Sequence, residues 1–274
     1  MEPKNTILLV PVDFTPAASS ATDFAIDMAK MSDAEIILLH IIKSDRDRRT
    51  AEGEMKLFSE KYANSHTKLQ TKVIEGSLTE EIEQVAKIMG ADLIVMGTHC
   101  ITGLGKMFRR HAFNIVENVS VPLIIVQKET TFKSIRKIMM TVDLERESVQ
   151  IITMAAKICK LFNAEIVLVA KRQTESEFKQ RLNVNLLVCE KILSEKNIEY
   201  KVVFVEGNDF LAEIFELCSK ENADLLAATY YQQHVHIFTE SFVQTLAYND
   251  LHIPLLTMDE ESTHSGGQFG AMWG

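Results

Sequence analysis

ValProValAspPheThr at 10–15 is echoed by MetThrValAspLeuGlu at 140–145, which sets Asp13 and Asp143 130 positions apart. LysMetSerAspAlaGluIleIleLeuLeu at 30–39 is matched at the same offset by LysLeuPheAsnAlaGluIleValLeuVal at 160–169. Glu75 and Gly76 return as Glu206 and Gly207 at an offset of 131, and AlaAspLeuIle at 91–94 returns as AlaAspLeuLeu at 223–226 at 132, as does Pro122 as Pro254. An offset that drifts by only two residues describes two tandem copies of one domain; a solenoid would repeat every few tens of residues. A chain of 274 residues suits two domains of about 100 to 150 residues, each able to bury its own core. The reading gives domains at 1–128 and 133–258, with a mobile C-terminal tail at 259–274.

Within the first copy, Thr6 to Val12 is a short apolar run closed by Asp13, and Thr15 and Pro16 then mark a turn. Proline is tolerated at the start of a helix, and Phe24, Ala25, Met28 and Ala29 recur at helical spacing up to a stop near Ser32. Glu35 to Ile42 is continuous, Ile-rich and too short for a typical helix, so it reads as a buried strand. Ala51, Met55, Phe58 and Tyr62 draw an apolar stripe on a helix whose other face carries Glu52, Lys56, Glu60 and Lys61. Strands at Gln70–Ile74, Leu93–Met96 and Leu123–Val126 alternate with helices at Leu78–Met89 and near Phe113–Val119. The second copy repeats the pattern, with strands near 135–142, 165–171, 200–205, 224–228 and 255–258. Continuous apolar strands separated by helices imply parallel sheets covered on both faces. The expected fold is α/β, two tandem doubly wound, Rossmann-like domains of five strands each, whose ligands bind beyond the strand C-termini at the switch point. Asp13 and Gly97 end the first and fourth strands and belong there.

Composition narrows the function. With 46% hydrophobic and 24% charged residues the chain has an ordinary globular make-up. Its net charge of −9 disfavours nucleic acid and anionic membranes, and no basic run with interleaved aromatics offers a local exception. No apolar stretch approaches the roughly 18 residues of a membrane span, and the N-terminus has no signal-peptide pattern. A cytoplasmic location is expected. Cys100, Cys159, Cys189 and Cys218 show no paired spacing, so they read as reduced, mostly core thiols.

The ValAsp after each first strand, the AlaGluIle second strand, and the AspLeuIleValMetGly that leads into ThrHis and ThrGly resemble universal stress protein domains. The resemblance covers about residues 4–127 and 133–258 and is strongest in the first copy. It implies that Asp13 contacts adenine, that Ile41, after Leu39 and His40, offers backbone groups to the base, and that the loop from Gly97 holds ribose and phosphates. The loop residues so implied are Gly97, Thr98, His99, Thr102, Gly103, Arg109 and Arg110. The pattern is incomplete: Cys100 stands in place of the second glycine, and no Gly followed by Ser or Thr closes the loop. Lost backbone amides weaken a phosphate cradle, and Lys106, Arg109 and Arg110 offset part of that loss by charge. In the second copy Thr229 replaces Gly97, Tyr230 and Tyr231 replace Thr98 and His99, and no glycine occurs between 208 and 265. A tight phosphate loop is hard to build without glycine.

Other readings compete. Asp13 is equally suited to cap the following helix, and only the resemblance turns it toward a ligand. The Lys106–His111 cluster is a solvated helix start or an anion site. Cys100, His234 and His236 read as incidental, neither a reactive thiol nor metal ligands. No nucleotide-kinase, hydrolase-elbow or zinc-protease motif occurs, so no catalytic residue is expected. The sequence predicts a non-enzymatic, regulatory stress-response protein with a weak or altered ATP or AMP site in the first domain and none in the second. The alternative is an interaction scaffold of the same fold that binds no nucleotide. The partner is an unspecified protein, and the fifth strands, Leu123–Val126 and Leu255–Met258, are expected to form an internal dimer or a homodimer.

Overall fold

In the computed structural model, residues 6–98, 109–132, 134–207, 209–231 and 240–259 are described, with backbone alone at 109–112, 240 and 241. The chain divides between Phe132 and Lys133 into two units. Unit 1 holds the parallel strands β1 (Ile7–Pro11), β2 (Glu35–Ile42), β3 (Lys68–Glu75), β4 (Leu93–Gly97) and β5 (Leu123–Val126), in the order β3-β2-β1-β4-β5. They alternate with α1 (Pro16–Ser32), α2 (Arg48–Glu60), α3 (Leu78–Met89) and α4 (Arg109–Asn118). Unit 2 has β6 (Lys137–Thr141), β7 (Glu165–Lys171), β8 (Tyr200–Val205), β9 (Leu225–Tyr230) and β10 (Leu255–Asp259) in the same order, β8-β7-β6-β9-β10. Its helices are α5 (Ile152–Phe162), α6 (Ser176–Glu195), α7 (Phe210–Glu221) and α8 (Glu240–Ala247). The sequence offset extends to the pairing: Ile7 lies opposite Glu35 in β2, and Lys137 opposite Glu165 in β7.

Each unit is thus a doubly wound, Rossmann-like α/β sheet. Right-handed crossovers place α1 and α2 on one face of unit 1 and α3 and α4 on the other. Strand residues of both parities are therefore buried: Leu8, Leu9 and Val10 are at most 1% exposed. Burying one such side chain contributes about 1.5 to 3 kcal/mol, and the continuous apolar runs in the sequence reflect this double cover. Edge strand β3 is the exception. Lys68, Gln70 and Lys72 put polar groups into it, and it extends beyond the expected strand Gln70–Ile74 at both ends.

The first helices show how local chemistry separates the units. Thr15 caps α1 by accepting from the Ala18 amide at 3.3 Å, and Pro16 takes the first helical position with its φ already set. At the equivalent place unit 2 has Glu145 and Arg146, without a side-chain cap and without proline. There the chain forms a 3-10 turn over Arg146–Val149, and α5 begins only at Ile152.

Some repeated residues serve structure. Gly76 and Gly207 leave no room for a Cβ because the Glu81 and Glu213 side chains fold back over them, and Glu213 Oε2 accepts from the Glu206 amide at 3.1 Å. Glu81 therefore packs against the turn as well as heading α3. Among the described residues no helix is long and apolar enough to cross a membrane.

Candidate functional site

Strand order reverses between β1 and β4 in unit 1 and between β6 and β9 in unit 2. Sheets of this kind bind ligands in the crevice beyond the strand ends at that point. Pro11 lies where the β1–β4 ladder ends. Thr6 O accepts from Glu35 N and Ile7 O from Asp92 N, so even residues of β1 face β2 and odd residues face β4. Pro11 thus faces β4 with no N–H to give, and the β1–β4 ladder stops at Leu9 opposite Ile94. Unit 2 has Thr141 in that place, and its ladder runs one pair further, to Met140 opposite Ala227. The sequence reading took Pro11 as part of an apolar run and missed this role.

Asp13 stands at the mouth of the unit 1 crevice. Its Oδ1 accepts from the Thr15 amide at 3.1 Å and from the Thr15 hydroxyl at 2.6 Å. The helix cap is therefore Thr15, and Asp13 braces it. Asp13 Oδ2 is buried and has no hydrogen-bond partner; such an orphan costs about 1 to 3 kcal/mol or more for a charged group. The next residue, Phe14, sits at φ 62, which is strained for an aromatic side chain. Its ring lies 4.5 Å from the His40 ring and 5.8 Å from that of Phe58. His40 Nδ1 lies 2.7 Å from Val12 O. A carbonyl oxygen only accepts, so Nδ1 carries the proton.

Ile41 is placed by ladder parity. Leu39 O accepts from Val12 N on the β1 side, and Ile42 O accepts from Gly76 N on the β3 side. The N–H and C=O of Ile41 accordingly point to the β1 side, past the end of β1. Gly97 has a steric task in the fold. A Cβ there would meet the Ala17 carbonyl oxygen and come within 2.9 Å of the Ala18 nitrogen, so the glycine lets the first turn of α1 lie on the end of β4. Thr98 is 3% exposed, and its amide is bound to Val126 O at 2.9 Å. That amide is spent inside the sheet. His99, Cys100, Thr102, Gly103, Lys106, His234, His236, the side chains of Arg109, Arg110 and His111, and the tail beyond Asp259 lie outside the described residues.

The second crevice is bridged from within, although Asp143 Oδ2, like Asp13 Oδ2, is buried without a hydrogen-bond partner. Asp143 is 6% exposed, and its Oδ1 accepts from the Glu145 amide at 2.8 Å and the Tyr231 hydroxyl at 3.3 Å. Burial pushes the Asp143 carboxyl up to about 6, against the pull of the Glu145 amide and the Ser148 and Tyr231 hydroxyls. Burial, with Asp143 beside it, lifts the Tyr231 phenol far above the ordinary tyrosine range. Asn185 Nδ2 donates to Asp143 O at 2.9 Å and Glu145 O at 2.8 Å. Lys171, the counterpart of Ile41, has its carbonyl bound by Gln173 Nε2 at 3.1 Å. Thr229, the counterpart of Gly97, donates its hydroxyl to Glu147 O at 3.1 Å. The carbonyl that excludes a side chain in unit 1 accepts one in unit 2.

A groove of about 930 Å³ lies at the other end of the unit 2 sheet. Lys137 there pairs with Glu165 at 2.9 Å and Glu221 at 2.7 Å, and Glu221 also meets Lys201 at 2.7 Å. These mutual pairs join helix ends to strand starts. Burial pushes the thiols of Cys159, Cys189 and Cys218 up to about 12, which makes them inert packing groups. Among the described residues no group of three or more His, Cys, Asp or Glu is placed to hold a metal ion.

A model of the universal stress protein family matches residues 4–127. A universal stress protein of Methanocaldococcus jannaschii is 30% identical over 138 residues, 44% of this chain and 81% of the relative. Among solved structures, a universal stress protein from Archaeoglobus fulgidus superposes with a TM-score of 0.74 over 94% of this chain and 100% of its own, at 15% identity. A protein from Pseudomonas aeruginosa superposes at 0.64 over 95% and 96%, at 14% identity. At these identities the structural likeness speaks for the fold, and it spans both units. With unit 1 matching the family model along nearly its whole length, this chain belongs to the universal stress protein family.

Proposed function

We propose that the protein is a non-enzymatic, nucleotide-responsive regulator in which unit 1 binds an adenine nucleotide, ATP or AMP, and unit 2 is a diverged copy that serves structure and partner contact. The observation that carries this reading is Asp13 Oδ2, a buried acceptor without a partner beyond the end of the β1–β4 ladder. An exocyclic amine supplies the missing donor, and the outward peptide groups of Ile41 supply the complementary pair for the base edge. The strained backbone at Phe14, in the residue next to Asp13, fits a site held in one shape for a ligand. His99, Thr102, Gly103, Arg109 and Arg110 take ribose and phosphates in this reading, and the missing glycines make that half of the site weak.

Isothermal titration with ATP and AMP tests it. Asp13→Ala is expected to weaken binding about 10- to 100-fold, the loss of one hydrogen bond to a charged group. Asp13→Asn keeps an oxygen for Thr15 but turns the other atom into a donor, and is expected to weaken binding comparably. No saturable heat from the intact chain at millimolar nucleotide would favour the scaffold reading. The outer face of α6 supports that alternative, since Val184, Leu187 and Val188 are 52%, 62% and 39% exposed. ATP left unaltered after prolonged incubation is the expected result for a non-enzyme.

A further inference from the structure

Tyr231 follows β9, on one side of the unit 2 switch point, and Asp143 follows β6, on the other. The phenol is 1% exposed, and its hydroxyl meets Asp143 Oδ1 at 3.3 Å, so the side chain bridges the crevice in which a sheet of this order takes its ligand. Unit 2 has also covered backbone carbonyls that a ligand would use. The Lys171 carbonyl is bound by Gln173, and the carbonyls of Asp143 and Glu145 by Asn185. Asp13 and Asp143 each keep a buried Oδ2 without a partner, so the difference lies in the bridge from Tyr231 and in the Ile41 peptide, whose groups point past the end of β1. We propose that Tyr231 is a built-in ligand: its phenol fills the unit 2 crevice as a planar hydrogen-bond donor to Asp143, which leaves the chain one open ligand site instead of two.

The inference rests on reading these crevices as ligand sites, but its test does not use nucleotide. In the full chain, Tyr231→Ala removes the phenol, and p-cresol and toluene serve as donor and non-donor replacements. Thermal unfolding of this variant is expected to rise by about 3 °C or more with saturating p-cresol and clearly less with toluene. The wild-type chain should respond to neither. Equal rescue by the two compounds would mean an ordinary core cavity, and no rescue by either would mean no pocket at all. Both results overturn the proposal.

Tyr231→Phe keeps the ring and serves if the alanine variant does not fold. The groups facing Asp143 are Glu145 and Ser148 from its own loop and turn, Asn185 from α6 and Tyr231 from β9, with Arg181 of α6 pairing Glu145 at 2.8 Å and Glu147 beside the phenol. Removing the Tyr231 donor leaves the carboxylate less stabilised. The Asp143 carboxyl signal, followed by carbon NMR, should then titrate at higher pH than in wild type. An unmoved midpoint would show that the hydroxyl does not serve the carboxylate. Failure of wild-type nucleotide titration, by contrast, would remove the proposed function of unit 1 and leave these outcomes readable.

Discussion

Units 1 and 2 share strand order, pairing offset and the aspartate after the first strand, yet they differ at three positions bordering the switch point. Pro11 corresponds to Thr141, Thr15 to Glu145, and Gly97 to Thr229. Each pair has a mechanical meaning: proline ends a ladder that threonine prolongs, a hydroxyl cap gives way to a 3-10 turn, and a clash becomes a hydrogen bond. Retention of an aspartate therefore says little by itself about retained binding. What surrounds the carboxylate decides whether it can accept from a ligand.

The sharpest break in the comparison should come from exchanging the fourth-strand residues. Gly97→Thr puts a side chain into the Ala17 carbonyl and is expected to destabilise unit 1 by about 2 to 4 kcal/mol, read from denaturant unfolding. Thr229→Ala loses only one hydrogen bond and should cost about 1 to 2 kcal/mol. Similar costs for the two would mean that α1 and the 3-10 turn of unit 2 approach their sheets alike.

The next effect is one of pH. Asp143 holds its proton in the folded state up to about pH 6, whereas its ordinary value is 3.8. Between those two points the folded state binds more protons than the unfolded state, so stability falls as pH rises, by about 3 kcal/mol in all. Below the lower value the difference vanishes, and above the higher one the loss is complete. Asp143→Asn should abolish this decline and match or exceed wild-type stability at pH 8. A decline that persists in the variant would place the titrating group elsewhere.

The smallest expected effect lies at a helix end that the copies build differently. α3 stops at Gly90 with φ 63 and α7 at Asn222 with φ 55. Glycine meets no steric penalty in this left-handed conformation and asparagine a modest one. Asn222→Gly should thus stabilise by a few tenths of a kcal/mol and Gly90→Ala destabilise by about 1. Thermal shifts of opposite sign would verify the equivalence.

Periodicity and the internal repeat made the fold legible, because strands buried on both faces must be apolar at every position and helices on one stripe. Edge strand β3 was read short, since exposure admits the polar residues that mask it. The positions of Asp13 and Gly97 at strand ends were legible in the sequence, but the packing role of Gly97 was not, because a close approach between α1 and β4 joins residues 80 positions apart. Pro11 and Tyr231 were overlooked for a related reason. Their effects depend on which neighbour strand a residue faces, and that follows from sheet order rather than from local composition.

The three buried thiols of unit 2 are spread one to a helix, Cys159 on α5, Cys189 on α6 and Cys218 on α7. An alkylating reagent can reach each sulfur only when its helix lifts from the sheet, so the three modification rates form a set of clocks placed inside one unit. With Cys100 replaced by serine to silence the remaining thiol, mass spectrometry of the labelled peptides would time the opening of each helix without any introduced probe. Clocks that run together would identify unit 2 as a single cooperative body, and a faster α6 would mark the place where it begins to come apart.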